Sequence, residues 1–385
     1  MTELLIGTRK GLFVLDGAPG GRFEITARAF AGEPLDYAMR EPVSGRLFAA
    51  VTSPFWGPRI WFTDGDVDGE WQPATGVSLP RGGDQALKRI WAIVAGDDGS
   101  RLWAGGDPGV LFESRDGGAS WELNRALWEH PTRPRWRPDS GGLSVHSIAP
   151  WPGDPDRLAL AISAAGVWLT DDGGASWRHG NAGIVADYLP EKARATAIDL
   201  CVHHIERAPA RPERLFMQFH GGVYRSDDAG ETWTDIAAGL PSDFGFPVVL
   251  DPADPDSAYV IPVATQDRVT PEGRVLVWET RDAGASWTAR GDGLPQRDAY
   301  LQVLRQSFDR ALAGAVEGLA QDLDVGVALG QPVAARRPAR AGEGADLELY
   351  FGATSGELFG SRDAGRSWFT VAGRLPAIAS VRVGR

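Results

Sequence analysis

The chain is poor in cysteine. Of its 385 residues only Cys201 carries a thiol, so no internal disulfide can form, and a reducing, cytoplasmic setting is the default expectation. Long apolar runs are missing as well: none reaches the ~18 residues that suggest a membrane-spanning helix. Basic residues are in deficit, with 39 Lys and Arg against 51 Asp and Glu and a formal net charge of −12. That balance argues against nucleic-acid binding through a basic face and against a polybasic membrane patch. The first apolar strand begins within a few residues of Met1 and leaves no room for a signal peptide. Histidine is scarce, six residues in all, which makes any clustering of them informative. Glycine and proline are plentiful, 49 and 27, as suits a chain built of turns.

What is present is a repeat. Ser114-Arg-Asp116-Gly-Gly118-Ala-Ser120-Trp121 returns around Asp172 and Trp177, Asp228 and Trp233, Asp282 and Trp287, and Asp363 and Trp368, with Asp-to-Asp spacings of 56, 56, 54 and 81. The shared pattern is [ST]-x-D-x-G-x-[ST]-W. An apolar run precedes each copy, for example Val110-Leu-Phe112 and Gly222-Val-Tyr224, and a second short run follows the Trp. This reads as strand, tight turn, strand. The Asp and the Ser/Thr can bond nearby backbone N–H groups, Gly supplies the turn conformation, and the Trp is expected to bury its ring against strands of its own unit.

Upstream of each copy lies a second unit, an apolar strand, a polar turn and another strand, as in Ile90–Val94 with Gly96–Gly99 and Val248–Leu250 with Asp251–Pro255. Four strands per repeat match a propeller blade. Six units fit between Leu35 and Gly373, the one at 35–74 carrying a degenerate motif around Thr63–Trp71. A seventh would join residues 1–30 to 376–385, the C-terminal Ala379–Val383 supplying one strand, and so remove the exposed sheet edges. The expected fold is therefore all-β, a single seven-bladed β-propeller domain over 1–385 closed by its two chain ends. Residues 309–345 break the rhythm as an insertion. Arg310–Leu323 has helical character and Pro332–Gly344 looks flexible; the segment is a tolerated surface insertion, or else a lid or partner site.

The motif resembles the Asp-box, or BNR, repeat of sialidase-like β-propellers. The resemblance implies that each box is the turn between the third and fourth strands of a blade, on the face opposite the active site. The chain is also similar to bacterial BNR/YVTN-like repeat proteins, in Gly7-Thr-Arg-Lys-Gly-Leu-Phe13, His146-Ser-Ile148, His220-Gly-Gly-Val-Tyr-Arg-Ser-Asp-Asp228 and Gly239-Leu-Pro-Ser-Asp-Phe-Gly-Phe-Pro247. It looks like the photosystem II assembly-factor propellers too, which are seven-bladed and bind partners through an Arg-rich surface. The motifs of a true sialidase are not met. Arg59-Ile60 is followed by Trp61 where that family has Pro, and no Tyr–Glu nucleophile pair can be assigned.

With the boxes on the bottom, the top face carries the inter-blade crossovers and the turns between second and third strands. His146, His203 and His204 start the innermost strands of two adjacent blades, and His220 ends the second strand of one of them, so four of the six His fall near the top of the channel. Imidazoles from neighbouring strands can hold zinc, copper or iron, act as general acid and base, or simply hydrogen-bond at a wet channel mouth. His146, His203 and His220 are the expected metal ligands. His204 points to the opposite face from His203, and Cys201, on the same face as His203, is an extra ligand or a buried inert thiol. Arg9, Tyr300 and Arg305 are the expected catalytic residues, with Arg9, Arg40 and Arg305 as an arginine cluster. Trp56, Asp107, Trp128, Arg135 and Phe246 are expected to bind substrate. The crossover 122–142, which mixes Arg and Trp, either binds a carboxylate, phosphate or sugar or packs over the domain. The leading reading is a metal-assisted hydrolase or lyase for a small polar or anionic substrate. Its competitors are a scaffold binding a protein partner and a glycosidase drawing two carboxylates from Asp36, Asp107, Asp199 and Asp267.

Overall fold

The computed structural model describes residues 1–18, 21–138, 141–191, 194, 198–312 and 347–384. Its regular secondary structure is almost entirely antiparallel sheet; the α-helical turn Arg125–Trp128 is four residues long. No helix among the described residues is long and apolar enough to cross a membrane. Five four-stranded sheets span 35–73, 89–123, 145–179, 202–235 and 245–290, each ordered by sequence from one edge to the other. A sixth sheet has eight strands. In it the C-terminal Ile378–Val383 pairs antiparallel with Thr2–Thr8, from Leu4 opposite Val383 to Thr8 opposite Ile378. A single parallel pair, Gln306 with Ser380, joins that half to the strands of 303–372.

The first strands of the sheets lie side by side: Leu35–Arg40, Arg89–Ala95, Val145–Trp151, Val202–Arg207, Gly245–Leu250 and Val303–Leu312 in succession, the last against Ile378–Val383, which in turn meets Leu35–Arg40. Together they line a central cavity of about 390 Å³, to which Tyr37, Val94, His146, His204, Val248, Gln306 and Arg382 contribute one from each strand. The apolar cores lie between adjacent sheets. One joins Ala159, Val167 and Leu169 of one sheet to Leu215, Phe219 and Trp233 of the next, the arrangement that lets each sheet bury both faces.

The five repeat turns share one hydrogen-bond set. Ser120 donates its backbone N–H and its hydroxyl to the two Asp116 carboxylate oxygens at 2.9 and 2.6 Å. Ser114 donates to Asp116 at 2.8 Å and accepts from the Gly118 N–H at 2.9 Å. The turns at Asp172, Asp228, Asp282 and Asp363 repeat this pattern. The Ser176 hydroxyl, then the Ser176 N–H and the Thr170 hydroxyl, hold Asp172 down to about 2. Ser286 lowers Asp282 in the same way. At Asp116, Asp228 and Asp363 desolvation pushes upward, but the same bonds outweigh it. Carboxylates with folded values below their unfolded ones stabilise the fold fully above pH ~4 and lose that contribution as pH falls through the folded values. The midpoint of thermal unfolding is therefore expected to drop between pH 4 and pH 2, less so in Asp172→Asn. Equal slopes in the two proteins would contradict this.

Trp121 keeps to its own turn, donating from Nε1 to the Gly118 carbonyl at 2.9 Å, but three other repeat tryptophans do more than cover their own sheets. Trp233 Nε1 donates to the Gly180 carbonyl at 2.8 Å and Trp287 Nε1 to that of Ile236 at 2.7 Å. Trp177 Nε1 reaches Asn124 at 3.1 Å. Each of these three acceptors follows the outermost strand of the preceding sheet, so Trp177, Trp233 and Trp287 tie neighbouring sheets together. The helical expectation for Arg310–Leu323 fails where it can be seen: 310–312 extend the strand Val303–Leu312, with Leu312 opposite Leu347. The rest of that expectation, most of the 309–345 insertion and the flexible reading of Pro332–Gly344 lie outside the described residues.

Candidate functional site

Each first strand begins at the sheet end remote from the repeat turns, and near that beginning it slips register with its neighbour. The slips fall between Leu35 and Tyr37, Ile90 and Ala92, Val145 and Ser147, Val202 and His204, Gly245 and Val248, and Val303 and Phe308. The skipped residues include Asp36, Trp91, His146, His203, Phe246 and Arg305. A bulge frees a residue from the ladder and re-aims its side chain. Here it does so strand after strand around one end of the central cavity.

Beside this rim lies a pocket of about 440 Å³ lined by Cys201, His203, His220, Phe244, Phe246, Tyr188, Arg268, Gln302 and Arg305, among others. Cys201 precedes the strand Val202–Arg207. Its carbonyl accepts the His220 N–H at 3.1 Å, and its own N–H donates to the Tyr188 hydroxyl at 3.0 Å. His203 donates from Nδ1 to the Gly245 carbonyl at 2.6 Å, which leaves Nε2 as the lone-pair nitrogen. The ligand atoms of Cys201, His203 and His220 all lie within 4.8 Å of one another. Burial, followed by the Arg305 charge, pushes the His203 pKa well below its ordinary value. Phe246 stacks on His203 at 5.0 Å and carries the Arg305 guanidinium 5.0 Å from its ring centre.

Of the expected site residues, His203, His220, Arg305 and Phe246 come together here. His146 does not join them. It sits on the bulge of the neighbouring strand and lines the central cavity, with Nε2 held 2.9 Å from the Ser163 hydroxyl. His204 faces the same cavity, bonded through Nδ1 to the Arg305 carbonyl at 3.0 Å. Arg9 lies 3.7 Å from Asp36, which also meets Arg89 at 3.2 Å. Arg40 pairs with Glu3 instead, so no cluster of Arg9, Arg40 and Arg305 forms. Tyr300 and Trp56 are 62% and 73% exposed, outside the pocket. Asp107 sits by Lys88 at 3.8 Å, and desolvation raises its pKa. The 122–142 crossover packs on the domain: Arg133 lies 3.8 Å over Trp128 and donates to the Pro108 and Gly109 carbonyls. Arg135 is exposed. Tyr188, Arg268 and Gln302 were not visible as site residues, because they come from connections whose course no periodicity reports.

No protein-family model matches the chain. An oligoxyloglucan-reducing end-specific xyloglucanase from Emericella nidulans is 29% identical over 166 residues, 39% of this chain and 18% of that protein. A similar protein from Neosartorya fischeri is 30% identical over 132 residues, 33% of this chain and 14% of its own length. The matched segments thus span less than a fifth of those relatives. Among solved structures, an ancestral GH74 enzyme aligns over 87% of this chain and 38% of its own, with a TM-score of 0.53 at 15% identity. YCF48 from Cyanidioschyzon merolae aligns over 89% and 87%, with a TM-score of 0.51 at 11% identity. A putative 6-phosphogluconolactonase from Bacteroides uniformis aligns over 99% of both chains, with a TM-score of 0.54 at 11% identity. At such identities the likeness concerns the fold alone, and the fold is a β-propeller.

Proposed function

We propose that the chain is a seven-bladed, Asp-box β-propeller of the cytoplasm that holds one transition-metal ion in its rim pocket and acts as a hydrolase or lyase on a small anionic substrate. The five four-stranded sheets, and the joining of the two halves of the eight-stranded sheet through one residue pair, support the blade count. The observation that carries the functional reading is the group Cys201, His203 and His220, whose donor atoms lie within 4.8 Å of one another.

The donor set fits a borderline-soft metal. One sulfur and two imidazoles suit zinc, with copper next, and three protein ligands leave a position for water or substrate. The bond from His203 Nδ1 to the Gly245 carbonyl is the outer contact that fixes a ligating imidazole in its tautomer and orientation. His146, the third ligand expected from sequence, is replaced in this set by Cys201. When bound, such an ion lowers the pKa of its water and polarises a carbonyl. Phe244 and Phe246 wall the pocket against bulk water. Arg305, on its bulge, would face an incoming anion with its guanidinium 5.0 Å from the Phe246 ring centre.

The test is the metal content of protein purified without a histidine tag, measured by mass spectrometry. About one zinc or copper ion per chain is expected, as isolated or after adding the metal. Failure to load zinc, copper or iron at stoichiometry defeats the reading. A second reading, glycoside hydrolysis through two carboxylates, draws support from the two xyloglucanase relatives and from burial raising both Asp36 and Asp107. It predicts sugar release from xyloglucan oligosaccharides by metal-free protein.

A further inference from the structure

The central cavity is a chamber separate from the rim pocket: no described residue lines both. Hydrogen bonds cross the channel where its first strands begin. Gln306 Nε2 donates to the His146 carbonyl, and Gln306 Oε1 accepts from Arg382. His204 Nδ1 donates to the Arg305 carbonyl at 3.0 Å. Gln306 and His146 stand on strands that are not neighbours, with Val202–Arg207 and Gly245–Leu250 between them, and His204 likewise reaches past Gly245–Leu250. These bonds therefore span the channel and close the chamber toward the rim. At the other end it meets solvent. Asp97 and Pro209, in turns that directly follow first strands, line it and are exposed on the side of the repeat turns.

The chamber is charged but balanced. Arg207, Arg310 and Arg382 line it together with Asp97, Glu206 and Asp309. Each already has partners. Arg310 pairs with Glu206 and lies 3.6 Å from Asp309. Asp309 accepts the Val383 N–H at 2.9 Å, and Asp97 accepts that of Gly153. Arg382 donates to Tyr37 and Gln306, and Arg207 to the Ala149 and Pro212 carbonyls. Burial pushes His146 and His204 down, so both are neutral at pH 7. An ionic ligand would leave water for a site with no surplus countercharge. What the chamber still offers is hydrogen bonding in both senses. The Tyr37 hydroxyl accepts from Arg382 at 2.8 Å and keeps its own proton to donate. His204 donates from Nδ1 and keeps the Nε2 lone pair to accept. Alcohol hydroxyls both donate and accept, without charge. Val94, Ile148 and Phe308 add apolar wall for C–H groups, and the volume of about 390 Å³ suits one ring-sized molecule. Burial, opposed first by Arg310, raises Glu206 to about 7. The charges balance fully only above that value; below it Arg310 is in excess and an anion gains a place.

We infer that the central chamber is a second ligand site, entered from the face of the repeat turns, for a compact neutral polyol the size of a single sugar ring. The inference is independent of metal in the rim pocket. The probes are myo-inositol, acetate and tert-butanol, each titrated at about pH 8.5, where Glu206 is ionised, and followed by saturation-transfer NMR. myo-Inositol is expected to bind at least about tenfold more tightly than either of the others, the worth of one good hydrogen bond. Val94 is half-buried on the chamber wall, so a larger side chain there grows into the open volume. Val94→Phe is expected to weaken myo-inositol binding at least about tenfold. Tyr37→Phe removes only the hydroxyl and should weaken it about three- to tenfold; it decides the matter if Val94→Phe fails to fold by circular dichroism. Acetate or tert-butanol binding as tightly as myo-inositol would overturn the ligand class. Unchanged myo-inositol affinity in folded Val94→Phe and Tyr37→Phe proteins would overturn the location, and no saturable binding of myo-inositol would overturn the site.

Discussion

Cys201→Ser and His220→Ala are each expected to weaken Zn²⁺ or Co²⁺ binding by at least about a hundredfold, whereas His146→Ala should leave it within about threefold. Loss of a single outer partner of a metal ligand already costs roughly 10–100-fold, and these substitutions remove donors themselves. The contrast with His146 is the informative part. All three residues sit near the same end of the molecule, but only Cys201 and His220 join His203 in a group of donors within 4.8 Å. His146 is bonded to Ser163 on the cavity side. Competition titrations with a chromophoric chelator would measure the three affinities, with circular dichroism to check that each variant folds. A His146→Ala loss equal to that of His220→Ala would move the site to the cavity side of the rim.

Trp233→Ala is expected to lower stability by about 3–5 kcal/mol, the usual cost of emptying a buried aromatic site. The ring is buried in the core shared by two sheets. Its Nε1 bonds to the Gly180 carbonyl, and its backbone N–H bonds to the Ala182 carbonyl at 2.8 Å. Gly183 closes the contact: a Cβ placed there would come within 2.2 Å of the Trp233 carbonyl oxygen, at a φ of +88°. Trp233→Phe keeps most of the packing and loses the indole bond, and is expected to cost about 1–2 kcal/mol. Guanidinium denaturation of the two variants checks the order. A Trp233→Ala protein within about 1 kcal/mol of the parent would show that this Trp does not couple the sheets.

The two ends of the molecule differ in how much of them sequence reasoning reached. At the box end nearly everything was legible. Ser114, Asp116, Gly118 and Ser120 bond within seven residues of chain, so their spacing alone encodes the turn. The destinations of Trp233 and Trp287 were not legible, because their acceptors Gly180 and Ile236 lie about fifty residues upstream. At the rim end, strand alternation sets His203 and His204 on opposite faces, and His203 lines the rim pocket while His204 lines the central cavity. That alternation gave no sign that the strand slips register between Val202 and His204.

By itself the sequence determined the all-β architecture, the strand–turn–strand repeat and the pairing of the two chain ends. It also singled out His203, His220, Phe246 and Arg305, and Cys201 beside them. These follow from local hydrogen bonding and from apolar periodicity, both of which act over a few residues. Only the tertiary structure decided that Cys201 rather than His146 lies with His203 and His220, their polar side-chain atoms within 4.8 Å of one another, that Arg9, Trp56 and Tyr300 stand outside the pocket, and that Arg268 and Tyr188 stand within it. Those outcomes depend on register slips in the first strands and on the course of the connections over the rim. Both are set by packing between sheets, and that packing leaves no periodic trace in the chain.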